Sequence, residues 1–127
     1  MAAIWTFYDY VSDIGTNHVA KWIAKELSKQ EETDFDVLLE NLSKMAVWDV
    51  KDYRTVVSSP GLGEIRWKGQ TRRTLRMIGI RSLEQKTFIC LLGCSHKDNI
   101  YKPPDWLNTS IDRMKALNRN EGTLIER

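Results

Sequence analysis

The chain reads as an α+β domain: a small, mainly antiparallel four-stranded sheet covered by an N-terminal helical hairpin, with a C-terminal helix, in the order β-α-α-β-β-β-α. Three observations predict it. Apolar side chains recur at helical spacing in two neighbouring stretches, Val19 to Leu27 and Phe35 to Ala46. Three short apolar or alternating runs follow between residues 63 and 94, joined by turns too brief for a crossover helix, which favours antiparallel pairing. A length of 127 residues supports one core rather than two.

Taken in order, residues 2–10 (AAIWTFYDY) combine aromatic and β-branched types and predict the first strand. Asp13 to Asn17 supplies turn residues and N-caps, so a helix is expected over 17–30 with Val19, Trp22, Ile23 and Leu27 on its apolar face. Glu31-Glu32-Thr33-Asp34 breaks that pattern. A second helix is expected from about Asp34, presenting Phe35, Leu38, Leu39, Leu42, Met45 and Ala46. Val47 to Pro60 is a connector whose Trp48, Tyr53, Val56 and Val57 predict packing along the core edge.

In Glu64-Ile65-Arg66-Trp67-Lys68, alternation places Ile65 and Trp67 on one face of a strand and Glu64, Arg66 and Lys68 on the other. Leu75 to Ile80 is an apolar run with Arg76 embedded in it, and Phe88 to Leu92 is apolar throughout, which suits a central strand buried on both faces. After Pro103-Pro104 a helix is expected over 105–118, with Leu107, Ile111, Met114 and Leu117 on one side. Residues 1–119 form the expected domain, and 120–127 a flexible tail.

Charge is distributed unevenly along this order. Lys plus Arg outnumber Asp plus Glu 9 to 3 over residues 61–102, whereas residues 1–60 hold 6 basic and 10 acidic side chains. The overall +2 therefore hides a strongly basic strand region, which predicts an anion-facing surface. No apolar run approaches the roughly 20 residues of a membrane helix, and the opening MAAIWTFYDY lacks the basic region and apolar core of a signal peptide, so a cytoplasmic protein without a membrane partner is expected. Cys90 and Cys94, four apart on one strand, are expected on the same face but too far apart for a disulfide. There is no His/Cys quartet for zinc, and no cofactor or metal is expected.

Phosphate loops, nucleophile elbows, HExxH motifs and paired carboxylates within the basic region are all missing. What remains is an inventory that can bind a polyanion: Arg66, Lys68, Arg72, Arg73, Arg76, Ser95, His96, Lys97, Tyr101 and Lys102. Such a set fits RNA cleavage without metal, in which a ribose 2′-hydroxyl attacks the adjacent phosphate while the protein orients the strand, moves two protons and holds the added charge. Plainer roles fit some of these residues equally well. His96 can be a surface residue, Arg72-Arg73 a solvated turn, and Tyr101 an anchor for the last helix, while Trp5, Trp22, Trp48, Trp67 and Trp106 read as core or core-edge side chains.

Element order together with three short motifs resembles the RelE/ParE superfamily of bacterial and phage toxins, nearest its HigB-like, phage-derived branch. Gly61-Leu62-Gly63-Glu64-Ile65-Arg66 is similar to that branch's GLWELR opening, and Leu75-Arg76-Met77-Ile78-Gly79-Ile80 to its YRLLGF strand. Leu91-Leu92, Lys97 and Pro103-Pro104 are similar to its LLHGFxKK…P segment, although Gly93-Cys94-Ser95 stands where His-Gly-Phe is usual. The resemblance implies a type II toxin that cleaves mRNA on the ribosome and is held inactive by a cognate antitoxin protein. It further implies that Arg76 contacts the scissile phosphate with Arg66 beside it, that Lys97 is a cation after the strand, and that Tyr101 lies in the region of a catalytic tyrosine, with room left for His96. Arg76, Lys97, His96 and Tyr101 are thus the expected catalytic residues, and Arg66, Lys68, Arg72, Arg73 and Lys102 the expected RNA-binding ones. A gyrase-binding toxin of the ParE kind and a non-toxic interaction module are the alternatives.

Overall fold

Capping decides where the N-terminal helices begin. Helix α1 (His18–Glu26) starts at Asn17, whose side-chain oxygen accepts from the Ala20 N–H at 2.9 Å. Helix α2 (Lys29–Ser43) starts at Ser28, which forms a reciprocal capping box with Glu31: the Ser28 hydroxyl accepts from the Glu31 N–H at 3.1 Å, and the Glu31 carboxylate accepts from the Ser28 N–H at 2.9 Å. In the computed structural model, which describes residues 2–127, the second helix therefore begins at Lys29 rather than near Asp34. The acidic run expected to break the helical pattern lies inside α2, with Glu31 and Glu32 in its first turn.

The α+β class holds, but the sheet is larger than expected. Seven strands, β1 (Thr6–Val11), β2 (Tyr53–Thr55), β3 (Gly63–Lys68), β4 (Thr74–Ser82), β5 (Thr87–Lys97), β6 (Ile100–Lys102) and β7 (Thr123–Glu126), form one open sheet, with helix α3 (Trp106–Asn118) between the last two. The order is β2-β3-β4-β5-β1-β7, with β6 paired to β5. Every pairing is antiparallel except β1 with β5, so the sheet is mixed. This corrects the four-stranded expectation. Of the three added strands, β2 and β6 are each three residues long, too short to show a period. β6 follows a two-residue turn, Asp98-Asn99, with both φ angles positive (52° and 67°), the combination that closes a right-twisted hairpin.

Residues 120–127, expected as a flexible tail, instead bring β7 alongside β1, and Arg127 donates to both carboxylate oxygens of buried Asp9 at 2.9 Å. Nothing local in Thr123–Glu126 requires a strand, since all four residues are exposed. The partner strand and the terminal ion pair create it.

The register of β4 against β5 slips between Ile78 and Gly79, whose partners are Leu92 and Cys90, so Leu91 is a bulged residue with no partner on β4. One extra residue inverts the alternation along the strand. Leu91 and Leu92 consequently join the core beneath α3 together with Cys94, while Phe88 and Cys90 join the core beneath α1 and α2. This overturns the expectation that the two cysteines share a face. Both thiols are buried and free, and burial pushes the Cys94 thiol up to about 12, with the Glu64 carboxylate adding to the rise and Arg76 opposing it. Arg113 of α3 donates to the Leu91 carbonyl at 2.8 Å, fastening the helix to the bulge.

Two layers thus flank the sheet. On the first face, Phe35 stacks on Trp67 with centroids 4.5 Å apart, Trp22 meets Trp67 edge-on at 6.3 Å, and Trp5, Phe7, Trp48 and Phe88 complete an aromatic core. Position 93 is glycine because a Cβ there would run into the Trp22 ring. On the second face α3 covers Ile78, Leu91, Leu92 and Cys94 with Trp106, Leu107, Ile111, Met114 and Leu117. Beyond the N-terminal end of α3 the second face carries charged residues.

Candidate anion-binding site

Strand pairing assembles this site row by row, because residues opposite one another on neighbouring strands share a face. Lys68, Thr74, His96 and Tyr101 are successive partners across β3, β4, β5 and β6, and Arg66, Arg76 and Cys94 form the next row. Arg54 and Glu64, paired between β2 and β3, begin the third row, which ends in Ile78 and Leu92 under α3.

Two arginines placed directly opposite each other repel, and Glu64 is their shared counter-ion. Arg76 Nη1 donates to Glu64 Oε2 at 3.1 Å, while Arg66 Nε stays 3.9 Å from Glu64 Oε1, outside hydrogen-bond range. Glu64 is 7% exposed. Burial works against the charge on Arg66, as do Arg54 and Arg76, and Glu64 partly offsets them. Three buried nitrogens in this region have no hydrogen-bond partner within the protein: Arg66 Nε, Arg76 Nε and His96 Nδ1. Leaving a buried polar group unpaired costs about 1–3 kcal/mol, more for a charged one, so three together mark a place where an anion or solvent must complete the arrangement.

An aromatic ladder borders the arginines. His96 stacks on Tyr101 with centroids 4.9 Å apart and planes at 15°, Tyr101 stacks on Trp106 at 5.7 Å and 24°, and the Arg76 guanidinium lies 5.3 Å from the Tyr101 centroid. Trp106 itself packs into the core under α3, which holds the ladder in place. The His96 imidazole is held below its ordinary range, first by burial and then by Arg76 and Arg66, with Glu64 opposing and Lys68 adding a little. It is therefore neutral at pH 7, with one ring nitrogen able to accept a proton.

The sheet divides the residues expected to act together. Arg66, Lys68, Arg76, His96 and Tyr101 share the open second face. Lys97 and Lys102 alternate away from them and, with Arg73, Ser95 and Thr71, line a separate hollow of about 310 Å³ to which His96 also contributes. Arg72 sits in the turn after β3, exposed and with φ of 65°. Arg73 is occupied: it donates from Nε and Nη2 to the two oxygens of buried Glu31 at 3.1 and 2.7 Å, and from Nη2 to the Glu26 carbonyl at 2.8 Å. Lys97 thus lies on the far side of the sheet from Arg76, and the Arg73 charge is already matched.

Two participants escape a reading of the sequence as a string. Glu64, whose alternation puts it among the cations, is the carboxylate that holds Arg76. Arg54 belongs to a segment rich in acidic residues, and only the pairing of β2 with β3 carries it to the basic face. Among the described residues no group of three or more His, Cys, Asp or Glu side chains is placed to hold a metal ion, and no helix is long and apolar enough to cross a membrane. Comparison with protein-family models, with curated proteins and with solved structures finds no match to this chain.

Proposed function

We propose that this protein is an endoribonuclease toxin that cleaves mRNA without metal, its basic face engaging ribosome-bound message and a cognate antitoxin protein holding it inactive in the cytoplasm. The observation that carries the reading is the trio of unpartnered buried nitrogens, Arg66 Nε, Arg76 Nε and His96 Nδ1, gathered on one open face beside Tyr101. The resemblance of residues 61–104 to the HigB-like branch of the RelE/ParE superfamily gives the anion its identity as the RNA backbone.

The chemistry follows from those groups. Arg76 and Arg66 bind the non-bridging oxygens of the scissile phosphate and stabilise the extra negative charge of the pentacoordinate transition state. Neutral His96 takes the proton from the 2′-hydroxyl as its oxygen attacks phosphorus. The Tyr101 hydroxyl donates to the departing 5′-oxygen, leaving a 2′,3′-cyclic phosphate and a free 5′-hydroxyl. A neutral imidazole and a phenol are a weak proton-transfer pair, so the ribosome's alignment of the strand contributes much of the rate and free RNA is cut poorly.

The test is induced expression of wild type and Arg76→Ala without antitoxin, with growth followed and mRNA 5′ ends mapped. Growth arrest with new cleavage sites, both lost in the variant, is the expected result. Arrest with intact mRNA would replace the proposal with a gyrase-binding toxin, and unimpaired growth with a non-toxic interaction module.

A further inference from the structure

The basic face does not end at Arg66. Beside the start of β2, where β3 runs on past it, the face opens into a hollow of about 220 Å³ lined by Lys51, Arg54, Arg66, Trp67, Lys68 and Thr74, four cations and no carboxylate. Positive charge is held there without a counter-ion among the lining residues, whereas Arg76 has Glu64 and Arg73 has Glu31. Arg54 is steadied by donation from its Nε to the Val50 carbonyl at 3.3 Å, which leaves its Nη groups free of any hydrogen bond in the structure. Arg66 lines the hollow while its unpartnered Nε belongs to the neighbouring cluster, so one side chain joins the two.

We infer that this hollow is a second phosphate subsite, which holds the backbone phosphate next to the one gripped by Arg66 and Arg76. The inference rests on the ribonuclease reading of the face. Strand spacing supports the fit: β2 lies two strands from β4, about 10 Å at about 4.8 Å per strand, and Arg54 sits one row along from the Arg66–Arg76 pair, so an RNA strand crossing the sheet obliquely passes from Arg76 over Arg66 to Arg54. Thr74 offers a hydroxyl to a phosphate oxygen. Lys51 and Lys68, both exposed, contribute charge at the rim. The subsite would set how the substrate is laid over the catalytic cluster without touching the reacting atoms, so Lys51 and Arg54 are positioning residues.

The experiment measures binding of a fluorescent single-stranded RNA dodecamer carrying 2′-O-methyl groups, which cannot be cleaved, across a range of salt concentrations. Wild type, the double variant Lys51→Ala/Arg54→Ala, Arg54→Lys and Arg76→Ala are compared, with a thermal melt to confirm that each is folded. Removal of one phosphate contact is expected to weaken binding by about tenfold in the double variant and to reduce the slope of log K against log salt by about 0.7, with Arg54→Lys close to wild type. Wild-type affinity and slope in the double variant, while Arg76→Ala is weakened, would overturn the subsite and leave the ribonuclease reading standing. Undiminished binding in both would overturn the reading of the whole face. Unchanged RNA binding in the double variant, with loss of binding to a glutamate-rich peptide, would assign the hollow to a protein partner and likewise overturn the subsite.

Discussion

Two arginine–carboxylate clusters sit on opposite faces of one sheet and are built to opposite ends. Beneath α1 and α2, Glu31 is 2% exposed and accepts from the Ser28 N–H, the Gln70 N–H and Arg73, while Arg73 spends its remaining donor on the Glu26 carbonyl. Every charge there is matched. On the open face, one carboxylate serves two facing arginines, and two guanidinium nitrogens and one imidazole nitrogen stay unpartnered. A closed network stabilises the fold and has nothing left for a ligand. An unfinished one stores binding free energy at some cost to stability, as sites that work on a ligand commonly do.

The largest expected effect breaks the closed network. Glu31→Ala leaves half-buried Arg73 with only the Glu26 carbonyl for a partner and removes half of the capping box, so unfolding in denaturant should show a loss of about 3–5 kcal/mol. RNA binding by the fraction that remains folded should be unchanged; a variant of wild-type stability would contradict the structural role assigned to this pair. Next comes Arg76→Ala on the open face. Its cleavage rate should fall by about 10²–10³-fold, equivalent to about 2.7–4 kcal/mol of transition-state stabilisation. Its stability should fall by about 1–3 kcal/mol, less than in Glu31→Ala, because Glu64 loses its one hydrogen bond while the repulsion between Arg76 and Arg66 is relieved. A large stability loss with little change in cleavage would reverse the comparison between the two faces.

Acid sharpens the contrast. Burial alone would raise the Glu31 carboxyl, but the hydrogen bonds from Arg73, Ser28 and Gln70 hold it at about 2, against an ordinary value of 4.5. A folded-state pKa below the unfolded one stabilises the protein above the unfolded value, and that stability drains away as pH falls from about 4.5 towards 2. The shift is equivalent to roughly 3 kcal/mol at 1.36 kcal/mol per unit. Urea midpoints measured from pH 6 down to pH 2.5 should therefore drop in wild type and flatten in Glu31→Gln; equal slopes would remove Glu31 from the account. The smallest effect belongs to Lys97→Ala. Lying on the far side of the sheet from Arg76, Lys97 should affect cleavage by less than about threefold, equivalent to about 0.7 kcal/mol. A loss as large as that of Arg76→Ala would show that RNA wraps around the β5–β6 hairpin.

Legibility tracked the range of the interactions involved. Ile65 and Trp67 pack inward and Arg66 and Lys68 outward on β3, as alternation alone implies, and α3 spans Trp106–Asn118 as its apolar spacing predicts. The tryptophans occupy the core or its edge. The start of α2 lies upstream of the expected Asp34, although the Ser28-x-x-Glu31 box that sets it is a local signal. The phase of β5 could not be read, because the bulge at Leu91 depends on how β4 meets it.

By itself, then, the sequence determined the α+β class, the basic stretch and the strand alternation that separates inward from outward side chains, all of which depend on neighbours a few residues apart. Tertiary structure alone decided that Glu64 holds Arg76, that Arg54 joins the basic face, that Lys97 and Lys102 leave it, and that the C-terminal residues become β7. Those outcomes depend on which strands lie side by side and in what register. One residue of slip sends a side chain through to the other face.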